Sequence, residues 1–506
     1  MSGLAVGYGK PDRANTVSML KKIAHRGPYM DGIFENKRVI MAQNYLEADG
    51  AKDGEGIEVP IQSSGEGDLR ICYDGQMGNW NELAQKNGIP DRPFREELLL
   101  LHLYRQHGRD MVRYLDDSIF AFVISDGDEF FAARDLLGIK TLYYAWEDQT
   151  LYLASELKSI VEITEEVYEF PPGHHMDHEG RLIPFARLPE EPPADLHTNP
   201  DKMMEDIRSI ISKSLHNRVD FCMPIGGLLS GGLDSSVINY LATETYREKF
   251  GQNARLKTFA LGVGESQDIQ NARIMSEYIQ SHHHEMIVDL DQILKVLPDV
   301  IYYLESFDPS LVRSSVSNYL ISRHASEKGI KVLLSGEGGD EVFCGYLYLK
   351  QFPTQELFAR QMECIGFLHN NASLRLDRMN QCHGIRVVAP LVSGELMDYA
   401  LHIPSQYKQK PDGDQKIEKW IFRKAFESFL PQEVTWRLKQ EFSQGSGSAD
   451  ILPAYFEEII DDEEFAEAAA RYPVIRSKEE LYYFRIFTDH FGKDHAVKTV
   501  GQWISV

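Results

Sequence analysis

From residue 1 to about 180 the apolar residues recur at short range, alternating or in β-branched runs such as FAFVISD (120–126), EFFAARD (129–135) and TLYYAW (141–146). Strand side chains point alternately to two faces, so these runs, punctuated by Gly, Asp and Pro, predict an antiparallel sheet system over 1–187. The pattern then stops. LPEEPPADLHTNPDK (188–202) holds four prolines outside any period, which breaks helix and strand alike and predicts a linker over 188–203. From about 204 the apolar spacing becomes 3.6, interrupted by short apolar strands. Helices are predicted at 204–215, 235–250, 268–280, 294–305 and 314–329, with strands at 224–230, 256–263, 285–290 and 330–336. Strands alternating with helices build a parallel, doubly wound sheet whose ligand site lies beyond the carboxyl ends of the strands. Residues 355–506 read mostly as amphipathic helix packed around it. The expected fold is α/β throughout: an antiparallel β-sandwich with helices, then a doubly wound domain over 204–506.

Composition narrows the partners. A chain of 506 residues exceeds one ordinary core, and 43% hydrophobic with 26% charged residues excludes collagen-like or disordered bulk. Lys plus Arg number 53 against 77 Asp plus Glu, a formal charge of -24. Such a surface repels phosphate backbones and anionic lipid, so neither nucleic acid nor a membrane is expected as partner. No stretch approaches the roughly 20 apolar residues of a membrane span. MSGLAVGYGK lacks the regions of a secretory signal, and Cys72, Cys222, Cys344, Cys364 and Cys382 have neither a disulfide framework nor zinc-ligand spacing. The expected location is cytoplasmic.

The most informative string is LSGGLDSS (229–236), set between an apolar strand and a helix. Gly231 and Gly232 let the backbone turn tightly so that amides at the helix start face a phosphate. Ser230, Ser235 and Ser236 add hydroxyls. Asp234 is an acid that would face phosphate only across a metal, which points to Mg²⁺-pyrophosphate. No G-x-x-x-x-G-K-[ST] string occurs, so this is not a Walker loop.

This loop, with HRGP (25–28), ARDLLGIKTLYY (133–144), ASELK (154–158), LLSGEGGDEVFCGY (333–346) and WRLKQEFSQGSG (436–447), resembles the glutamine-dependent asparagine synthetase family over nearly the whole chain. The resemblance implies an N-terminal-nucleophile (Ntn) hydrolase-like glutaminase sandwich followed by an ATP-pyrophosphatase (PP-loop) synthetase domain. The family's glutaminase uses an amino-terminal Cys as nucleophile. This chain has Ser2. The family's oxyanion Asn aligns with Asp74, its glutamine-carboxylate Arg with Tyr45 and its glutamine-amine Asp with Glu96. Four changes in one pocket predict a lost activity and a surviving scaffold.

The back half keeps the family's adenylating residues. Asp234 and Asp340 match its Mg²⁺ ligands, while Leu229, Leu261, Ser335 and Gly336 match positions holding adenosine. Lys439 matches the catalytic lysine that faces the α-phosphate, and Glu337 the acid facing the adenylate, where it would take a proton from the amine. Cys344 replaces a usual glycine and reads as a small packed residue. His282, His283 and His284 read as strand residues on alternating faces rather than a metal site. In GIRVVAPLVS (384–393), Arg386 stands for the family's acid and Ser393 for its final Asp at the acyl pocket, which puts aspartate as substrate in doubt. ESFDP (305–309) and the GSG of 445–447 also resemble the β-lactam synthetases, although those carry Tyr in place of Glu337.

The resemblance implies an ATP-dependent, AMP-forming amide synthetase, with ATP and Mg²⁺, that joins a small carboxylate to free ammonia or a small amine. Two alternatives remain open at this point: intramolecular closure of a lactam, and a nucleotide-binding partner subunit without catalysis. The oligomeric state is open too, a homodimer being one option.

Overall fold

In the computed structural model, the runs at 118–134 form neighbouring strands whose two faces are both covered. Phe120, Phe122 and Ile124 point into one apolar cluster, Ala121 and Val123 into another. That is why the run is apolar at nearly every position instead of alternating with polar residues. The structure describes residues 2–28, 30–46, 57–58, 61–63, 69–90, 94–115, 117–127, 129–264, 266–413, 415–439, 445 and 451–503.

The chain divides into two units, Met1–Leu188 with Phe487–Gly501, and Pro189–Ile486 with Gln502–Val506. In the first, β1 (Ser2–Tyr8) pairs antiparallel with β2 (Val39–Tyr45) inside a seven-stranded sheet, with Ser2 opposite Tyr45. A six-stranded sheet contains β3 (Leu69–Met77), β4 (Ser118–Asp126) and β5 (Glu129–Arg134), with Asp74 opposite Ala121. Leu4, Val6 and Met41 of the first sheet meet Val123, Phe130 and Ala132 of the second, making the sandwich core. Helices α1 (Trp80–Asn87) and α2 (Arg95–His107) cover the outer face of the six-stranded sheet through Trp80, Leu99 and Leu103.

The boundary near 188 agrees with the proline-rich segment, but the fourth proline does not break a helix. It starts one. Helix α3 (Pro200–Arg218) is capped by Asn199, whose side chain accepts from the N–H groups of Asp201 and Lys202, and Pro200 sits where no N–H is needed. The division by contacts does not follow the expected span 204–506 throughout. Phe487–Gly501 groups with the front unit, where the His495 ring meets Tyr168 edge-on at 5.2 Å.

In the second unit, β6 (Ile225–Leu228), β7 (Lys257–Val263), β8 (His282–Val288), β9 (Val332–Leu334) and β10 (Arg386–Val388) form a parallel sheet in the order β8-β7-β6-β9-β10. Helices α4 (Leu233–Phe250), α5 (Gln267–Tyr278), α6 (Leu290–Leu304) and α7 (Pro309–Glu327) connect its strands. Strand β10 falls in the stretch read as mostly helix, since three residues are too few to show a period of two. Among the described residues no helix is long and apolar enough to cross a membrane.

Candidate active site

Beyond the carboxyl end of β6, residues 229–232 turn into α4. Gly231 has φ 67°, and a Cβ there would come within 2.3 Å of the Asn271 carbonyl carbon, so the turn and its close approach to α5 both require glycine. The Ser230 and Ser235 hydroxyl oxygens lie 3.1 Å apart, and the Gly232 N–H donates to Ser230 Oγ. Both serines line a cavity of about 200 Å³ together with Leu229, Gly232 and Asp234. Ser236 does not: it is fully buried behind the loop, and its hydroxyl has no hydrogen-bond partner among the described residues. From β7 comes Leu261, and from the turn after β9 come Ser335, Gly336, Glu337 and Asp340. Lys439 completes the predicted set in that cavity.

The structure adds a residue that sequence reasoning missed. Lys419 Nζ lies 2.5 Å from Asp234 Oδ2 and 2.7 Å from Asp340 Oδ1, while Lys439 Nζ is 2.7 Å from Asp340 Oδ2. A Cβ on Gly345 would stand 1.9 Å from Lys419 Cε and 2.1 Å from Asp340 Oδ1, so the bridge needs glycine beside it. Burial alone would push the Asp340 carboxyl up, but Lys419 and Lys439 outweigh it and hold it well below the usual range. For Lys439 burial pulls the ammonium down, and the charges of Asp340 and Asp234 overturn that and raise it. Asp234 Oδ1 is buried without a hydrogen-bond partner among the described residues. A carboxylate oxygen left so, beside a second carboxylate and a phosphate-type loop, fits a hard divalent cation. One signal for Lys419 existed. It directly precedes the apolar helical run WIFRKAF, and a cation is the wrong charge for a helix start.

Glu337 lines the same cavity, and its Oε2 is 2.7 Å from Nη2 of Arg375 on helix α8 (Ala372–Gln381), a second residue the sequence did not point to. Asp268 and Arg437 also line it, 3.0 Å apart; burial raises the Asp268 carboxyl, against the pull of Arg437 and Lys439. Two expected acyl-pocket residues lie elsewhere. Arg386 opens β10 opposite Val332, at the amino end of the sheet and away from the ligand edge. Ser393 is buried as a helix cap, its Oγ accepting from the Leu396 N–H, and neither residue lines the cavity. The His282 and His284 rings stack at 4.8 Å on one face of β8, while His283 Nδ1 lies 2.9 Å from Thr258 Oγ1 on the other. No cluster of metal-ligating side chains occurs among the described residues. Cys344 is buried at φ 54°, a left-handed position that explains why a glycine would be usual there.

In the front unit, Ser2, Tyr45 and Asp74 do come together, and Asp74 reorganises the pocket. The Ser2 N–H donates to Asp74 Oδ1 at 3.1 Å and its hydroxyl donates to the Tyr73 carbonyl at 2.5 Å, while Gln43 Nε2 donates to Ser2 Oγ at 2.7 Å. Asp74 is fully buried between Arg26 Nη2 at 2.8 Å and Lys140 Nζ at 3.4 Å. Arg26 also reaches Glu156 at 2.8 Å, which in turn pairs with Lys158. Tyr45 packs edge-on to Phe94. Glu96 Oε2 accepts from the Tyr73 hydroxyl at 2.7 Å and from the Met77 N–H at 3.3 Å.

Comparison with known proteins agrees with both units. The asparagine synthase family matches residues 206–370 and 350–502, and the glutamine amidotransferase domain matches residues 1–178. A probable asparagine synthetase (glutamine-hydrolysing) of Dictyostelium discoideum is 30% identical, covering 97% of this chain and 93% of its own. Relatives from Schizosaccharomyces pombe, described as a probable asparagine synthetase, and from Saccharomyces cerevisiae, described as asparagine synthetase 1, are each 31% identical with the same coverage.

Proposed function

The chain belongs to the asparagine synthetase family, and from that premise we propose that it forms its amide from free ammonia or a small amine, without a glutaminase of its own. It is an ATP-dependent C–N ligase that yields AMP and pyrophosphate. The observation that carries the proposal is the state of Ser2: its hydroxyl is hydrogen-bonded on both sides, and the position expected to donate to an oxyanion holds the Asp74 carboxylate.

In the back unit the residues divide the work by where charge appears. The carboxylate of the substrate attacks the α-phosphate, the bond to pyrophosphate breaks, and an acyl-adenylate forms. Lys439 stands by that phosphorus as a fixed positive charge. The loop amides and the Ser230 and Ser235 hydroxyls hold the leaving pyrophosphate. Asp234 and Asp340 would hold Mg²⁺, which supplies charge neutralisation when bound. Glu337 then accepts a proton from the amine as it attacks the acyl carbon, and AMP leaves. Arg375 holds Oε2 of Glu337 and so fixes the orientation of the carboxylate that takes that proton. The acid substrate is a small carboxylate.

The test is amide formation with glutamine and with high ammonium as alternative nitrogen sources. Turnover with ammonium and none with glutamine is expected; glutamate release matching amide formation would overturn the reading.

A further inference from the structure

The sheet order gives the cavity two sides. Leu228 to Ser230, at and beyond the end of β6, and Phe259 to Leu261 of β7 lie on one, and Ser335 to Glu337 follow β9 on the other, with Asn371 at the start of α8 and Arg375 within it. That second wall is finished by a residue far away in sequence, Trp503. Trp503 lines the cavity and is 7% exposed, and its ring lies 5.6 Å from the Tyr346 ring and 5.1 Å from that of Phe367, which lies just ahead of α8. Trp503 belongs to a buried cluster with Cys344, Leu349 and Leu357. Its backbone is pinned on both sides. The N–H donates to Asp308 Oδ2 at 3.0 Å, the carbonyl accepts from Arg476 Nη1 at 2.9 Å, and Arg476 Nη2 closes the triangle on Asp308 at 2.9 Å. Gln502 Nε2 adds a bond to the Val474 carbonyl at 2.6 Å. Charge-assisted bonds to both backbone groups hold a side chain in one place, where an untethered terminal segment would fray.

We propose that Trp503 is a specificity-determining residue for the carboxylate substrate, its indole forming the wall that limits how long an acid fits beside Glu337 and Arg375. The inference rests on reading this cavity as the adenylating site. An indole is large, flat and rigid, so it sets a boundary that a flexible side chain would not. The acid that fits is short, with a polar group towards Arg375 and an apolar face against Trp503 and Tyr346.

The experiment is ATP–pyrophosphate exchange with the full chain over a series of acids lengthened by one methylene at a time, for the wild type, Trp503→Phe and Trp503→Ala. In Trp503→Ala the ratio of kcat/KM for a longer over a shorter acid is expected to rise about 10-fold or more, with KM for ATP unchanged. Trp503→Phe should restore most of the original order. A purely structural role would lower exchange equally for every acid and leave the order intact, and that result overturns the proposal. Should Trp503→Ala fail to fold, Trp503→Leu keeps apolar bulk in the cluster and carries the same test. No exchange by the wild type with any acid would overturn the adenylation reading itself; exchange with an unmoved order would overturn only the role of Trp503.

Discussion

Each unit holds a buried knot of carboxylates and cations, and the two knots differ in one respect. In the front unit Asp74 and Glu156 are surrounded by Arg26, Lys140 and Lys158, with no side-chain exposure at Arg26, Asp74 or Glu156. In the back unit Asp234 and Asp340 are held by Lys419 and Lys439, but the knot faces a cavity and leaves Asp234 Oδ1 without a hydrogen-bond partner among the described residues. Satisfied buried polar groups rigidify a fold; incompletely satisfied ones beside open space are poised for a ligand. The same amino-acid types thus close one knot in the interior and leave the other open to a cavity.

The sharpest way to break that contrast lies in the back knot. Lys439→Ala should impair ATP–pyrophosphate exchange itself, whereas Glu337→Gln should leave exchange largely intact and slow amide formation by about 10² to 10⁴. If both variants lose exchange alike, Glu337 binds the adenylate and is not a base. In the front knot, Arg26→Ala should strip Asp74 and Glu156 of a shared partner and cost about 3–5 kcal/mol of stability. Thermal unfolding would show the loss. The ammonium-driven rate well below the melting point should not change, and a fall in that rate would make the front knot part of the chemistry.

Another buried cation, Lys408, belongs to neither knot and shows what burial costs where a neutral amide faces the charge. Its Nζ donates to Gln361 Oε1 at 2.7 Å, and burial, opposed by Cys344, lowers it to about 8 from 10.5. Between those two values the unfolded chain binds the proton that the folded chain has released. Stability therefore rises with pH across that window, by up to about 3 kcal/mol, and is flat below it. Melting temperatures of the wild type should gain on those of Lys408→Met as pH climbs from about 8 to about 10.5; parallel curves would show that Lys408 is not uncompensated.

The smallest effect is expected at Ser2. Ser2→Ala removes a hydroxyl whose neighbour Gln43 Nε2 keeps its bond to the Tyr73 carbonyl at 2.7 Å, so the cost should be about 1 kcal/mol. The ammonium-driven rate should not change. Glutamine-driven turnover in the wild type that Ser2→Ala abolishes would restore Ser2 as a nucleophile.

Much of the back unit was legible because its signals are local. A strand, a glycine turn and a helix follow one another at 225–250, and Gly231 does what its residue type foretold. Arg375, Lys419 and Trp503 were not legible because each reaches the cavity from a distant element. Lys419 even adopts φ 54°, a backbone region costly for lysine, held there beside two carboxylates. The placement of Arg386 and Ser393 failed for a related reason. Matching residues along a segment fixes their order but not the strand's register, and Arg386 begins β10 opposite Val332 instead of lying at its carboxyl end. In the front unit, four substitutions pointed to an altered pocket, yet only the fold shows Arg26 and Lys140 beside Asp74.

The bridge of Lys419 between Asp234 and Asp340 has a consequence for how the site fills. With Lys439 the four groups carry two charges of each sign and balance one another, so a polyphosphate meets a set of ion pairs with no net charge and not a positive hole. The lysines can turn to phosphate oxygens only by releasing carboxylates, and carboxylates released in a buried place need another cation. Entry is then an ion exchange with two incoming species. Nucleotide and divalent cation should each bind weakly alone and strongly together, each raising the affinity of the other by the same factor.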